Sequence, residues 1–237
     1  MKKYKHIKGL LAGGVLASVA AVQPAMALDN DLTLYLWGSS ISGTATVQDQ
    51  SKNLVQADFD ELVDKLEMAF QIHYEGVGDR WGVGLDYSYV GLGDTNDAGI
   101  STDVDTTIGE AFAIFRAKDT LDLFGGVRFT ELEMELAMLD TTLNTGDRSL
   151  TDFFAGGRVK VPFSANWGGA LRADVGTGDS DIVWNIAALV DWQVSKAVAL
   201  RGGYRWLDYT IDRDTSKLDA EMDLGFDGPF LAIGFQW

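Results

Sequence analysis

The side chains able to do acid–base chemistry in this 237-residue chain are few, and histidine is the scarcest of them. His6 lies in the N-terminal segment, whereas His73 stands two residues before Glu75, with Asp86 and Ser88 on the following run. An acid–base or Ser-His-Asp grouping can be drawn from these four residues. Such a grouping needs nucleophile, base and orienting carboxylate within hydrogen-bond reach, which closeness in sequence does not supply. A lone histidine among carboxylates is more simply one member of a hydrogen-bonded network. Gly38 to Gly43 (GSSISG) lacks the spacing of a nucleophile elbow, and Gly76 to Gly82 (GVGDRWG) reads as a turn, not a dinucleotide fingerprint. With no cysteine there is neither a disulfide nor a thiolate metal site. The expectation is a protein that is not an enzyme and uses no cofactor.

Charge forms the larger constellation. Glu67, Glu75, Asp86, Glu110, Asp122, Asp152, Asp174 and Asp191 stand against Arg116, Arg128, Arg158, Lys160, Arg172, Arg201 and Arg205, with His73 among them: eight acids to seven bases. Each occupies the polar parity of a run whose other parity is apolar. Near-balance favours pairing, because an uncompensated buried charge is expensive. Two readings follow: a salt-bridged plug, or a narrow pore whose charges select small solutes.

The elements that must position these residues are strands. From Asp181 to Asp212, Trp184, Ile186, Ala188, Val190 and Trp192 alternate with Asn185, Ala187, Leu189, Asp191 and Gln193. After Ser195-Lys196, Val198, Leu200, Gly202, Tyr204 and Trp206 alternate with Arg201, Gly203 and Arg205. This is a β-hairpin with one apolar and one largely polar face. Aromatic residues mark the ends of the apolar rows, and charges lie in the middle of the polar ones. A soluble barrel would invert this; a greasy outer band with aromatic rims around a polar interior is what a membrane-spanning β-barrel requires.

Other runs repeat the pattern. Leu66 to Glu75 and Trp81 to Tyr89 bracket a tight turn, and Leu121 to Thr130, Phe153 to Val161 and Trp167 to Val175 alternate in the same way. The run Leu32 to Trp37 is apolar on both faces, which leaves its orientation open. In Val104 to Ala117 the apolar parity is ambiguous. Glu110 and Arg116 settle it, since a charge at the bilayer midplane costs ~2–4 kcal/mol and should face inward. After Phe129 the apolar parity changes to Leu132, Met134, Leu136 and Met138, through a bulge near Thr130-Glu131 or a strand projecting beyond the membrane.

Segments 39–65, 91–103, 140–148 and 212–221 read as polar loops, with one or two helical turns possible at Asp58 to Lys65. The expected architecture is all-β: a transmembrane antiparallel up-and-down barrel of about ten strands, with eight as the alternative.

The N-terminus carries a basic head, an apolar run from Gly9 to Val22 and Ala25-Met26-Ala27, the form of a secretory signal peptide. Residues 1–27 are therefore expected to be removed, leaving 28–237 as one barrel domain. Losing Lys2, Lys3, Lys5 and Lys8 takes the formal charge from −16 to −20, which argues against nucleic acid as a partner. Asp94, Asp97, Asp103, Asp105, Asp179, Asp181, Asp212, Asp214, Asp219, Glu221 and Asp223 fall in or beside the loops. They could hold divalent cations together with lipopolysaccharide phosphates, although no run has calcium-loop spacing and a solvated acidic surface is the plainer reading.

The final strand ends Phe235-Gln236-Trp237, which resembles the assembly signal of bacterial outer-membrane β-barrels. Leu171 to Gly176 (LRADVG) and Gly203 to Asp208 (GYRWLD) resemble strand sequences of small OmpA-like outer-membrane proteins. The resemblance implies residence in the cell outer membrane, with Phe235 and Trp237 read by barrel-assembly machinery and lipid and lipopolysaccharide as surroundings. It implies no substrate. The functions that remain are a structural or surface-interaction barrel, a narrow cation-preferring porin-like channel, and a lipid or peptide hydrolase using His73.

Overall fold

The computed structural model describes residues 28–47, 50–57, 66–95, 100–138, 141–215 and 218–237. Twelve strands account for nearly all of them: β1 (Asp29–Trp37), β2 (Ser40–Val47), β3 (Gln50–Ala57), β4 (Leu66–Val77), β5 (Trp81–Thr95), β6 (Ile100–Lys118), β7 (Leu121–Met138), β8 (Thr141–Pro162), β9 (Trp167–Gly178), β10 (Ile182–Ser195), β11 (Val198–Thr215) and β12 (Leu218–Gln236). All pairings are antiparallel. The ring runs β1-β4-β5-β6-β7-β8-β9-β10-β11-β12 and closes where β12 pairs with β1, which makes ten strands around the barrel. β2 continues the line of β1 after Gly38-Ser39, pairing with the first half of β12, and β3 folds back on β2.

Alternation places the apolar band outside. Leu123, Phe153, Leu171, Ile186, Leu200 and Leu231 are exposed on the outer wall, and Leu34 and Leu36 orient β1, whose phase the sequence left open. Two aromatic rims bound the band. Near the chain termini and short turns lie Trp81 against Phe115, Trp167 stacked on Trp192 at 5.6 Å, and Trp237; at the other end lie Phe129, Phe153, Trp184 and Trp206. This is the arrangement a membrane-spanning barrel needs.

The hairpins are longer than the sequence indicated. β11 and β12 pair out to Thr215↔Leu218, and β7 and β8 to Met138↔Thr141, so most of the segments read as loops at 140–148 and 212–221 are strand. The segment read as the first loop contains β2 and β3, and β5 and β6 take up most of 91–103. The helical turns at 58–65 lie outside the described residues. About 9–11 residues suffice for a tilted strand to cross a bilayer, whereas β7 has 18 and β8 has 22, so the ladder continues well beyond the apolar band.

That extension explains the parity change after Phe129. β7 keeps an unbroken register with β8 from Leu121 to Leu136, so there is no bulge at Thr130-Glu131. Past the band, water replaces lipid outside and the interior becomes an ordinary core. Leu132 therefore packs inward with Trp37, Ile108, Leu150, Val183, Leu207, Tyr209, Ile211 and Phe226. A second apolar cluster, Val77, Phe112, Ile114, Phe124 and Phe154, sits lower in the lumen. The interior is thus not simply polar.

Candidate functional site in the barrel lumen

Antiparallel register brings inward residues of adjacent strands side by side. His73 faces Asp86, Glu110 faces Arg128, Asp122 faces Arg158 and Asp191 faces Arg201. Inward charges recur on successive strands, so these local pairs join into networks across the lumen.

The central network is built on Arg128, whose side chain has no exposed surface. Its Nε donates to Glu110 Oε1 at 2.9 Å and its Nη2 to Asp174 Oδ1 at 2.7 Å. The remaining nitrogen, Nη1, has no hydrogen-bond partner, and the guanidinium lies over the Phe154 ring, 4.8 Å from its centroid. Arg172 donates to Glu110 Oε2 at 2.7 Å and Asp174 Oδ2 at 3.0 Å while lying over Phe124 at 4.8 Å. Arg205 donates to Glu110 Oε1 at 3.0 Å and to Asn185 Oδ1 at 2.9 Å, above the Trp37 ring. Asn185 in turn donates to Asp174 Oδ2 at 2.7 Å. Three arginines thus share two carboxylates, with phenylalanine and tryptophan rings as the dry faces of the cage.

Toward the end carrying the termini, Arg158 forks onto Glu75 with two bonds of 2.7 Å and reaches Asp122 at 2.8 Å, which also takes Lys160 at 2.8 Å. His73 lies between Asp86, 2.9 Å from Nδ1, and Glu75, 3.1 Å from Nε2. Arg201 joins Asp191 at 2.8 Å and also binds Asp31 and Thr33, with Gln236 donating to Asp31 at 2.9 Å. Below the central network a cavity of about 650 Å³ opens toward this end, running from Asp29, Arg116 and Asp119 up to Trp37, Arg172 and Arg205.

Two described residues of the expected set sit apart from these clusters. Asp152 is fully buried, but it accepts from Ser180 N at 2.8 Å and Ser180 Oγ at 3.0 Å, holding the turn between β9 and β10. Arg116 is at the rim, 3.9 Å from an Asp29 that is almost fully exposed. The side chain of Glu67 lies outside the described residues.

Sequence reasoning missed Asp31, Tyr35, Gln71 and Asn185. Asp31 and Tyr35 were hidden by the doubtful phase of β1; Asp31, Thr33, Tyr35 and Trp37 share a parity, and one secure inward residue would have exposed the set. Asn185 and Gln71 lie in inward rows but are neutral, so a census of charges passes over them.

The Ser-His-Asp grouping is not assembled. Ser88 Oγ accepts from Gln71 Nε2 at 2.9 Å, and both ring nitrogens of His73 face carboxylates, leaving neither directed at a hydroxyl. Among the described residues no cluster of histidine and carboxylate side chains has metal-holding geometry. The acidic residues expected to hold cations outside fall largely on side chains not described. Of the others, Asp105 accepts from Tyr89 Oη at 2.8 Å, Asp179 from Thr151 N at 2.8 Å and Asp223 from Thr210 Oγ1 at 3.0 Å.

No family model and no curated protein matches the sequence. Among solved structures, the outer membrane protease OmpT from Escherichia coli is similar at a TM-score of 0.54 and 7% identity, with 92% of this chain and 99% of that chain covered. The attachment invasion locus protein Ail of Yersinia pestis matches at a TM-score of 0.40 and 10% identity, covering 90% of this chain and 100% of that one. Neisserial surface protein A matches at 0.34 and 10%, covering 88% and 97%. At these identities the likeness concerns the fold alone. Ring closure, outer band and likeness to OmpT agree: the chain has the fold of a small bacterial outer-membrane β-barrel.

Proposed function

We propose that the protein is an integral outer-membrane barrel whose lumen is a plug, and that it works as a structural or surface-interaction scaffold, not as a channel. The bond between Glu110 and Arg205 carries this reading. Their strands, β6 and β11, stand diametrically opposite in the ten-membered ring, yet the two side chains meet at 3.0 Å. That contact spans the full diameter, with Arg128 and Arg172 occupying one half of the lumen at that depth and Trp37 and Asp86 the other, and the apolar core around Tyr209 and Phe226 lies beyond it. The 650 Å³ cavity is then a blind vestibule. By the usual asymmetry of such barrels, its mouth at the short turns faces the periplasm and the long hairpins face outward.

Lipid and lipopolysaccharide are the proposed surroundings, with Phe235 and Trp237 offered to the assembly machinery. Divalent cations at the outer acidic side chains belong to the same proposal. Planar-bilayer recording tests the plug. Folded protein should insert without steady unitary conductance; a stable, cation-preferring conductance altered by Arg205→Ala would replace the scaffold with a pore. The hydrolase reading would return only if lipid or peptide hydrolysis were measured and lost in His73→Ala.

A further inference from the structure

Among the described residues the hydrogen-bonded ladder of the ring is interrupted at a junction within the apolar band. Among the described residues, the β1–β4 ladder ends at Leu34↔Ile72, and the next pairing on that side of the chain is Ile41↔Ala57 between β2 and β3. On its other side β1 stays paired with β12 through Trp37↔Phe230. The interruption falls at mid-depth: Leu36 faces Leu231, between the rim at Trp237 and the level of Trp206↔Asp227 at the other rim.

An open sheet edge facing hydrocarbon is not tolerated, because no water is present to satisfy its backbone groups. Here a side chain substitutes for the ladder. Gln71, buried in the wall, accepts from the Trp37 N–H while donating to Ser88 Oγ at 2.9 Å.

Outside this junction lies a groove of about 420 Å³ walled by Leu34, Leu36, Phe70, Leu231 and Ile233. Tyr35 and Ala232, at its floor, also line the internal vestibule, so a single strand layer separates the groove from the lumen here. Apart from Gln71 and Tyr35 at the floor the lining is apolar, and the surrounding band is apolar above and below, so hydrocarbon is the chemistry that reaches the groove in a membrane.

We infer that the β1–β4 junction is a seated lipid site: a single acyl chain of a membrane lipid lies in the groove between Leu36 and Phe70 and covers the part of the wall that the ladder leaves open. The site rests on the membrane placement proposed above. It makes one stretch of the outer wall a specific contact, whereas the rest is an averaged solvent face.

The full chain, reconstituted in phosphatidylcholine vesicles containing a phospholipid with a diazirine midway along one acyl chain, tests both statements after irradiation and peptide mapping by mass spectrometry. Labelling should concentrate several-fold on Leu34–Leu36 and Ala69–Phe70 over Phe153–Val159 of β8, the strand across the ring. Ile233→Trp, whose larger side chain projects outward into the groove, should bring the junction down to the β8 level. Equal labelling of both walls of the wild-type protein overturns the seated site while leaving the membrane placement intact. Labelling of neither wall above the level of the protruding hairpins overturns the placement itself.

Discussion

Glu110 accepts from Arg128, Arg172 and Arg205, three strands' cations on one carboxylate with no exposed surface. Removing one partner of a buried ion pair leaves the others uncompensated at a cost of about 3–5 kcal/mol. Glu110→Gln is therefore expected to lower the unfolding free energy of the detergent-folded barrel, read from its urea denaturation curve, by an amount in that range. Asp191→Asn should cost less, because Arg201 keeps Asp31 and Thr33 and the site is partly wetted by the vestibule. Asp29→Asn, at an exposed rim and 3.9 Å from Arg116, should leave the midpoint unchanged. Equal, negligible effects at Glu110 and Asp29 would mean a lumen full of water and would contradict the plug.

At the level of strands, space for the lumen aromatics comes from glycine on the neighbouring strand. Phe112 faces Gly84 on β5 and Gly126 on β7, and a methyl group added at Gly84 would stand 2.2 Å from the tip of the Phe112 ring. Gly84→Ala must push that ring into the space held by Phe124 and Phe154, an overpacking that costs about 1–3 kcal/mol. Adding Phe112→Leu should recover part of the loss, and the unfolding midpoints of the single and double variants measure it. The β1–β4 junction belongs to the same scale. Gln71→Ala removes the acceptor for the Trp37 amide, so hydrogen exchange at that amide should accelerate while amides in the continuous β10–β11 ladder stay protected. An unchanged Trp37 amide would show that the junction is closed by something other than Gln71.

For the molecule as a whole, closure pairs the sheet edges around the ring except at the β1–β4 junction, and the outer band makes the folded barrel a detergent-binding object. The protein should be recovered from detergent-extracted membranes and migrate faster on an unheated gel than on a heated one. Recovery as a stable soluble monomer would overturn the membrane placement. Balanced inner charge and acidic surface charge are separate features of the same chain: the first holds the strands together across the lumen, and the second lies on hairpins that extend past the band.

Strand alternation was legible in the residues alone, because side-chain parity is a local property and a charge in lipid is costly enough to set it. Glu110 and Arg116 decided the phase of β6 in that way, and Thr106, Ile108, Phe112 and Ile114 are indeed turned inward with Glu110. While β2 and β3, in the polar segment 39–65, were read as loop, the ten strands of the ring followed from the same local rule. The lengths of the outer hairpins did not, since polar residues on strands in water look like loop residues when lipid no longer demands an apolar face. Partner choice was equally out of reach. Arg128 could have met any inward carboxylate of similar depth, and only ring closure at ten strands brings β6 across from β11, so that Glu110 reaches Arg205. Whether the inward aromatics leave a pore or fill one is likewise a matter of barrel diameter, a property of the closed ring and of no single strand.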